Sequence, residues 1–287
     1  MRGSARSGRA IVALQTTKLG LPAVFFCCGL FFLAGFFGSM IPPVDLPNEN
    51  PARLGLYEEE TLEMAHGETG EDHVSELSFQ VLSWKPRAMY YPNFASRKQC
   101  ETIIRIAKSK LSPSSLALRK GETAESTKGI RTSSGTFLSA VEDSSGTLDK
   151  IEDKIARATL IPKNHGEAFN ILRYEIGQKY ASHYDAFNPK EYGPQSSQRV
   201  ASFLLYLSDV EEGGETMFPY ENGLNMNSGY DFNECIGLRV KPRQGDGLLF
   251  YSVLVNGTID PMSLHGSCPV IRGEKWVATK WVRNEIQ

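Results

Sequence analysis

The chain has 287 residues, a net charge of −2, 41 % apolar residues and 22 % charged residues. That length allows one large domain or two small ones, with enough apolar content for a sizeable core. The near-neutral balance argues against a nucleic-acid partner held by bulk electrostatics.

The neutral total hides two opposed ends. Residues 1–18 carry Arg2, Arg6, Arg9 and Lys18 and no acid, whereas residues 19–44 carry no charge. Those 26 uncharged, mostly apolar residues exceed the roughly 20 that a helix needs to cross a bilayer. A basic flank ahead of a span keeps the N-terminus cytosolic and places the downstream chain on the lumenal side. The sequence therefore predicts a cytosolic tail over 1–18 and a transmembrane signal anchor over 19–44, giving a single-pass type II protein. A cleaved signal peptide is the rival reading, but its apolar region runs about 7–15 residues. Gly38-Ser39-Met40 is also a poor small-x-small cleavage site. Residues 45–77 read as an acidic lumenal stem, because 45–76 hold ten acids against the single base Arg53. Such a segment stays solvated as a spacer.

From residue 78 to the end, periodic segments predict a folded domain. Leu77-Ser78-Phe79-Gln80-Val81-Leu82 alternates as a strand does. Ser96 caps a helix over 96–111, with Cys100, Ile103, Ile104 and Ala107 at helical spacing. Leu148, Ile151, Ile155 and Ala158 mark a second amphipathic helix. The polar, glycine-punctuated stretch 120–136 between them predicts a long loop, of the kind used as a lid or binding loop. Beyond residue 166, strands are predicted over 168–174, 179–186, 199–207, 247–254 and 275–282, separated by turns such as Asn256-Gly257. Helices followed by strands give an α+β class, with a double-stranded β-helix or jelly roll carrying the site.

The five cysteines divide by compartment. Cys27 and Cys28 lie in the predicted span as packing residues. Cys100, Cys235 and Cys268 are lumenal, where disulfides form, and an odd number leaves at least one free or paired outside the chain. Cys268 reads as a buried thiol, and the sequence does not say which pair is bridged.

The chemistry concentrates in His183-Tyr184-Asp185, His265 and Lys275. Residues i and i+2 of a strand share a face, so His183 and Asp185 converge, and His265 from another strand closes the triangle. Two imidazoles and a carboxylate hold a ferrous ion and leave its other positions open. A closed zinc site would want a fourth protein ligand, which Cys268 could nominally supply. Lys275 adds a fixed cation for the far end of an acidic cosubstrate. The four together suggest an oxygenase that uses Fe(II), 2-oxoglutarate and O2.

The flanking residues carry a resemblance. Asn170-Ile171-Leu172-Arg173-Tyr174, Gly177-Gln178-Lys179-Tyr180-Ala181-Ser182-His183-Tyr184-Asp185, Glu211-Glu212-Gly213-Gly214-Glu215-Thr216, His265-Gly266-Ser267-Cys268-Pro269-Val270 and Gly273-Glu274-Lys275-Trp276 resemble the prolyl 4-hydroxylase family. With Lys128-Gly129-Ile130-Arg131-Thr132-Ser133 and the membrane-anchored layout, the chain is most similar to the plant members, from about residue 78 to its end.

The resemblance implies that His183, Asp185 and His265 bind Fe(II), that Lys275 and Tyr174 grip the distal carboxylate of 2-oxoglutarate, and that L-ascorbate is required. It implies that Tyr180 faces the substrate proline. It places Arg131 and Ser133 in a loop over the peptide, and Glu167, Arg199 and Trp281 along the groove. The implied substrates are proline-rich secretory polypeptides in polyproline II form, converted to 4-hydroxyproline in the endoplasmic reticulum or Golgi lumen. Extensin, arabinogalactan and collagen-like sequences fit that description. An oligomer with like or related subunits is also compatible with the resemblance. No cysteine-rich C-terminal module or retention tetrapeptide follows Gln287, so retention is expected to rest on the anchor. Asn256-Gly257-Thr258 is a sequon for a glycan at Asn256, although Asn-Gly also reads as a tight turn. Two other readings stay open: a non-catalytic peptide-binding module, and an oxygenase acting on another residue.

Overall fold

A computed structural model describes residues 77–226 and 229–287. The expected tail, span and stem up to residue 76 lie outside the described residues. Among the described residues no helix is long and apolar enough to cross a membrane.

The chain opens with a hairpin of β1 (Gln80–Trp84) and β2 (Arg87–Tyr91), followed by α1 (Arg97–Lys108). Ser96 caps α1 as expected, accepting from the Gln99 amide while Gln99 answers the Ser96 amide in a capping box. Then come β3 (Ser112–Pro113), β4 (Ser134–Leu138), α2 (Thr147–Thr159), β5 (Phe169–Tyr174), β6 (Tyr180–His183) and β7 (Arg199–Tyr206). After them come β8 (Glu212–Gly213), β9 (Thr216–Phe218), β10 (Leu238–Val240), β11 (Gly247–Tyr251), β12 (His265–Ser267), β13 (Val270–Arg272) and β14 (Lys275–Arg283). The long strands fall where the alternation put them. β4 claims the end of the stretch read as loop.

Eight strands form one sheet in the order β1-β2-β11-β7-β14-β5-β4-β3, four form a second in the order β10-β9-β12-β6, and β8 pairs with β13. The pairings between these strands are antiparallel. Strands supply most of the regular structure, and the antiparallel sheets fit the expected double-stranded β-helix.

The large sheet is apolar on both faces, and strand alternation assigns each residue to one of two cores. On the outer face, Phe169, Ile171, Phe203, Leu205, Leu249 and Ala278 pack beneath Cys100, Ile103 and Ala107 of α1 and Leu148, Ile151 and Ile155 of α2. On the inner face, Leu172, Tyr174, Leu204, Tyr206, Phe250 and Val277 meet Phe218, Val240 and Val270 from the smaller sheets. Full burial of each large side chain contributes about 1.5–3 kcal/mol. β14 lies between β7 and β5, and its alternation turns Lys275 inward while Trp276 joins the outer core.

Cys235 and Cys268 form a disulfide, with Cα atoms 5.4 Å apart. Cys268 is buried as expected, but it is oxidised with Cys235, so the reading of a thiol there is corrected. Cys100 is the free, buried cysteine. The Asn256-Gly257 turn forms as read: Val253 and Ile259 bridge across it, and Gly257 has φ 80°, which costs glycine nothing. Asn256 is exposed there, and its side chain accepts from the Thr258 amide and hydroxyl.

Candidate active site

His183 ends β6 and His265 begins β12, and the two are direct partners across the antiparallel pair. Gly266 lets the strands close: a Cβ there would sit 2.8 Å from Met217 Cε and 2.9 Å from the Tyr180 carbonyl oxygen. Asp185 joins them for a different reason from the one expected. β6 stops at His183, so the carboxylate arrives through the bend beyond it, not through strand alternation.

Each imidazole is aimed by its own backbone. His183 Nδ1 lies 2.9 Å from the Ala181 carbonyl oxygen, and His265 Nδ1 lies 3.0 Å from that of Ser263. A carbonyl only accepts, so the proton sits on Nδ1 and both Nε2 lone pairs are free for a metal. Those Nε2 atoms stand 3.6 Å and 3.4 Å from the two Asp185 oxygens, and all the ligand atoms fall within 4.8 Å of one another. Ser202 Oγ, on β7, donates to Asp185 Oδ2 at 2.6 Å. Burial alone would raise the Asp185 pKa, but the neighbouring His265 and His183 outweigh it and hold the carboxyl well below its usual range. Burial pushes His265 down to about 4, against the opposing pull of Asp185, so the ring is a neutral ligand at physiological pH.

With Cys268 committed to the disulfide, no fourth protein ligand closes the site among the described residues. Two imidazoles and one carboxylate on one side fit a ferrous ion with open positions, not a structural zinc.

Lys275 lies in the adjoining pocket at 1 % exposure. Its Nζ donates to Ser267 Oγ at 2.9 Å and stands 5.4 Å from the Tyr174 ring centroid. No carboxylate lies within ion-pair distance of it among the described residues. Burial pushes its pKa down to about 7, opposed by Glu215. A buried cation without a counter-ion is costly, and a pocket that bears this cost is made for an anion. Thr216, Ser267 and Thr279 line the same pocket and supply polar contacts.

A larger cleft opens from the triad and is lined by Arg131, Tyr180, Arg199 and Trp281, together with Phe137 and Tyr192. Tyr180 stacks one face on His183, with centroids 3.6 Å apart, and carries the Arg131 guanidinium 4.7 Å from its ring centroid. Ser133 is buried and bonded to Ser114 Oγ, so it braces the loop and does not line the cleft. Glu167 is also displaced from its expected role. Its carboxylate takes two hydrogen bonds from Arg199 at 2.7 Å and one from Arg283 at 2.6 Å, so it positions Arg199 from behind. The Arg199 guanidinium in turn lies 3.6 Å from the Trp281 ring centroid. Trp281 Nε1 is buried with no hydrogen-bond partner.

Sequence reading missed Ser202, Ser267 and the 219–235 segment, which brings Phe232 and Asn233 to the cleft and is clipped by the disulfide. A lone serine inside the apolar run Val200-Ala201-Ser202-Phe203-Leu204-Leu205 was the available signal for Ser202.

Residues 169–283 match the 2OG-Fe(II) oxygenase superfamily, a span that holds the triad and Lys275. The chain is 66 % identical over 276 residues to probable prolyl 4-hydroxylase 9 of Arabidopsis thaliana, covering 94 % of this chain and 96 % of that one. It is 56 % identical to Arabidopsis prolyl 4-hydroxylase 13, covering 93 % and 96 %. Among solved structures it resembles the viral collagen prolyl hydroxylase of Paramecium bursaria Chlorella virus-1 in its 2-oxoglutarate complex. That match has a TM-score of 0.50 and 27 % identity, covering 68 % of this chain and 95 % of that one.

Proposed function

The chain belongs to the prolyl 4-hydroxylase family of Fe(II)- and 2-oxoglutarate-dependent dioxygenases, and from that premise we propose that it hydroxylates proline-rich secretory polypeptides in polyproline II form. The enzyme uses Fe(II), 2-oxoglutarate and O2, with the ascorbate requirement typical of prolyl hydroxylases. Fe(II) supplies the activation of O2 coupled to decarboxylation of the cosubstrate. The chain's own residues bind, orient and exclude water. In this reading His183, Asp185 and His265 hold the iron, and Lys275 with Tyr174 fixes the distal carboxylate.

The observation that carries the proposal is the junction of cleft and cosubstrate pocket at the triad. Tyr180, His183, Asp185 and Trp281 line both. A peptide in the cleft therefore presents a side chain to the metal without opening the pocket. A polyproline II segment suits such an aromatic-lined groove, because it is stiff before it binds. The substrate class extends to extensin, arabinogalactan and collagen-like sequences. We place the domain in the lumen of the endoplasmic reticulum or Golgi, anchored by residues 19–44. Asn256 carries a glycan in the same reading, on the strength of its exposure at a hairpin tip.

The test combines the purified protein with Fe(II), 2-oxoglutarate, ascorbate and a proline-rich peptide panel. Peptide-dependent succinate release should accompany an added oxygen on proline. Oxygen on another residue would redirect the reading to a related oxygenase, and no peptide-dependent succinate would reject it. For location, protease added to intact microsomes should leave the catalytic domain whole, and its digestion would overturn the lumenal placement.

A further inference from the structure

Five residues line both the cosubstrate pocket and the peptide cleft: Arg131, Tyr180, His183, Asp185 and Trp281. Four of them sit on or beside β6 and β14. Arg131 alone comes from the segment between β3 and β4, which forms one wall of the cleft.

Its surroundings are unusual for a cation. The guanidinium lies 4.7 Å from the Tyr180 ring centroid, its Nε donates to Ser133 Oγ at 3.2 Å, and Nη1 donates to the Ser115 carbonyl at 3.4 Å. Tyr174 lines the same pocket as Arg131 and Lys275. No carboxylate forms an ion pair with Arg131 among the described residues, although the side chain is half-buried. The backbone beneath it is tied to β6. Arg131 bridges Tyr180, the Ala181 amide donates to the Ile130 carbonyl at 2.8 Å, and the Thr132 amide donates to that of Lys179 at 3.1 Å. One cation without a counter-ion thus sits at the bottom of the pocket, Lys275, and a second, Arg131, sits at its mouth.

Resting on the dioxygenase reading, we propose that Arg131 is a gate operated by the cosubstrate. The dianion supplies the charge that Arg131 lacks, and Arg131 then closes the pocket mouth and fixes the 114–131 wall of the cleft. The residue acts first on cosubstrate retention and only through it on the peptide. It is therefore a positioning residue for substrate and a binding residue for cosubstrate. A guanidinium suits the part because its planar fork directs donors at Ser133, Ser115 and an anion in fixed directions, whereas an ammonium is a compact point charge.

The test reads cosubstrate binding directly, by calorimetry on the full chain with Mn(II) in place of iron. Arg131→Gln should weaken 2-oxoglutarate binding about tenfold, the scale of one charge-assisted bond, and Arg131→Lys should fall between it and the wild type. Amide exchange at residues 130–133 should slow when cosubstrate is added without peptide. At saturating cosubstrate, the peptide KM of Arg131→Gln should return to within about twofold of wild type. Unchanged cosubstrate affinity in both variants with a raised peptide KM would make Arg131 a direct peptide contact and overturn the gate. Protection at 130–133 that appears only on adding peptide would do the same, and it needs no variant that folds. A wild-type protein that binds no 2-oxoglutarate would instead reject the dioxygenase reading itself.

Discussion

Lys275→Met should make the protein more stable and a much poorer binder of its cosubstrate. The fall from the ordinary lysine value of 10.5 to about 7 reflects the cost of holding an ammonium in a dry pocket. At about 1.4 kcal/mol per pH unit that cost is on the order of 5 kcal/mol. Methionine fills similar space without charge, and relaxation leaves an expected gain of about 1–3 kcal/mol. In a domain of this size the melting temperature should rise by roughly 3–10 °C. Cosubstrate affinity moves the other way, because a buried charge-assisted pair loses one partner. A loss of about 3 kcal/mol corresponds to roughly a hundredfold weaker binding.

The pH dependence has a definite sign. The folded-state pKa lies below the unfolded one, so the penalty is fully present below about pH 7 and fades as pH rises toward the ordinary lysine value. The stability advantage of Lys275→Met should therefore be largest at pH 6 and shrink by pH 9. Thermal melts of the cosubstrate-free protein at both pH values, with a 2-oxoglutarate titration, make the measurement. A lowered melting temperature with undiminished cosubstrate affinity would refute the account of Lys275 as an anion receptor kept at a structural cost.

The same geometry carries other expectations. His265→Ala should abolish turnover at any cosubstrate concentration, whereas Lys275→Ala should recover activity as 2-oxoglutarate is raised; equal rescue of both would contradict the assigned roles. Ser202→Ala removes the hydrogen bond to Asp185 Oδ2 and should weaken metal binding about tenfold, read by competition with a chelator; unchanged affinity would make that bond incidental. Cys235→Ser opens a 33-residue connection and should cost about 3 kcal/mol by chain entropy, seen as a lower melting temperature.

The metal ligands and Lys275 were legible because each is a rare residue type inside a run of recognisable sequence. The long strands β5, β7, β11 and β14 and both helices were legible because four or more residues reveal a period. The smaller sheet was not. Its strands β9, β10 and β12 have three residues each, too few to alternate visibly, and they exist through pairing with distant segments. The disulfide was hidden for a similar reason, since partners 33 residues apart meet only when β10, β9 and β12 assemble side by side. Glu167, which the resemblance places along the groove, has its carboxylate committed to Arg199 and Arg283, partners too distant in the chain for any local pattern to reveal. The Asp185 convergence was right for the wrong reason, as the chain had already left the strand.

The register of β6 against β12 has a consequence beyond catalysis. β6 is the edge strand of the smaller sheet, joined to its neighbour by a short, irregular ladder in which His183 opposes His265. An ion held by both imidazoles would span that ladder like a rivet, so occupancy would pin this edge strand to β12. Chelation should then quicken amide exchange in Tyr180–His183 ahead of the large sheet, and sensitivity to proteases should appear there first. The reactive centre would double as the fastening of the sheet that presents it.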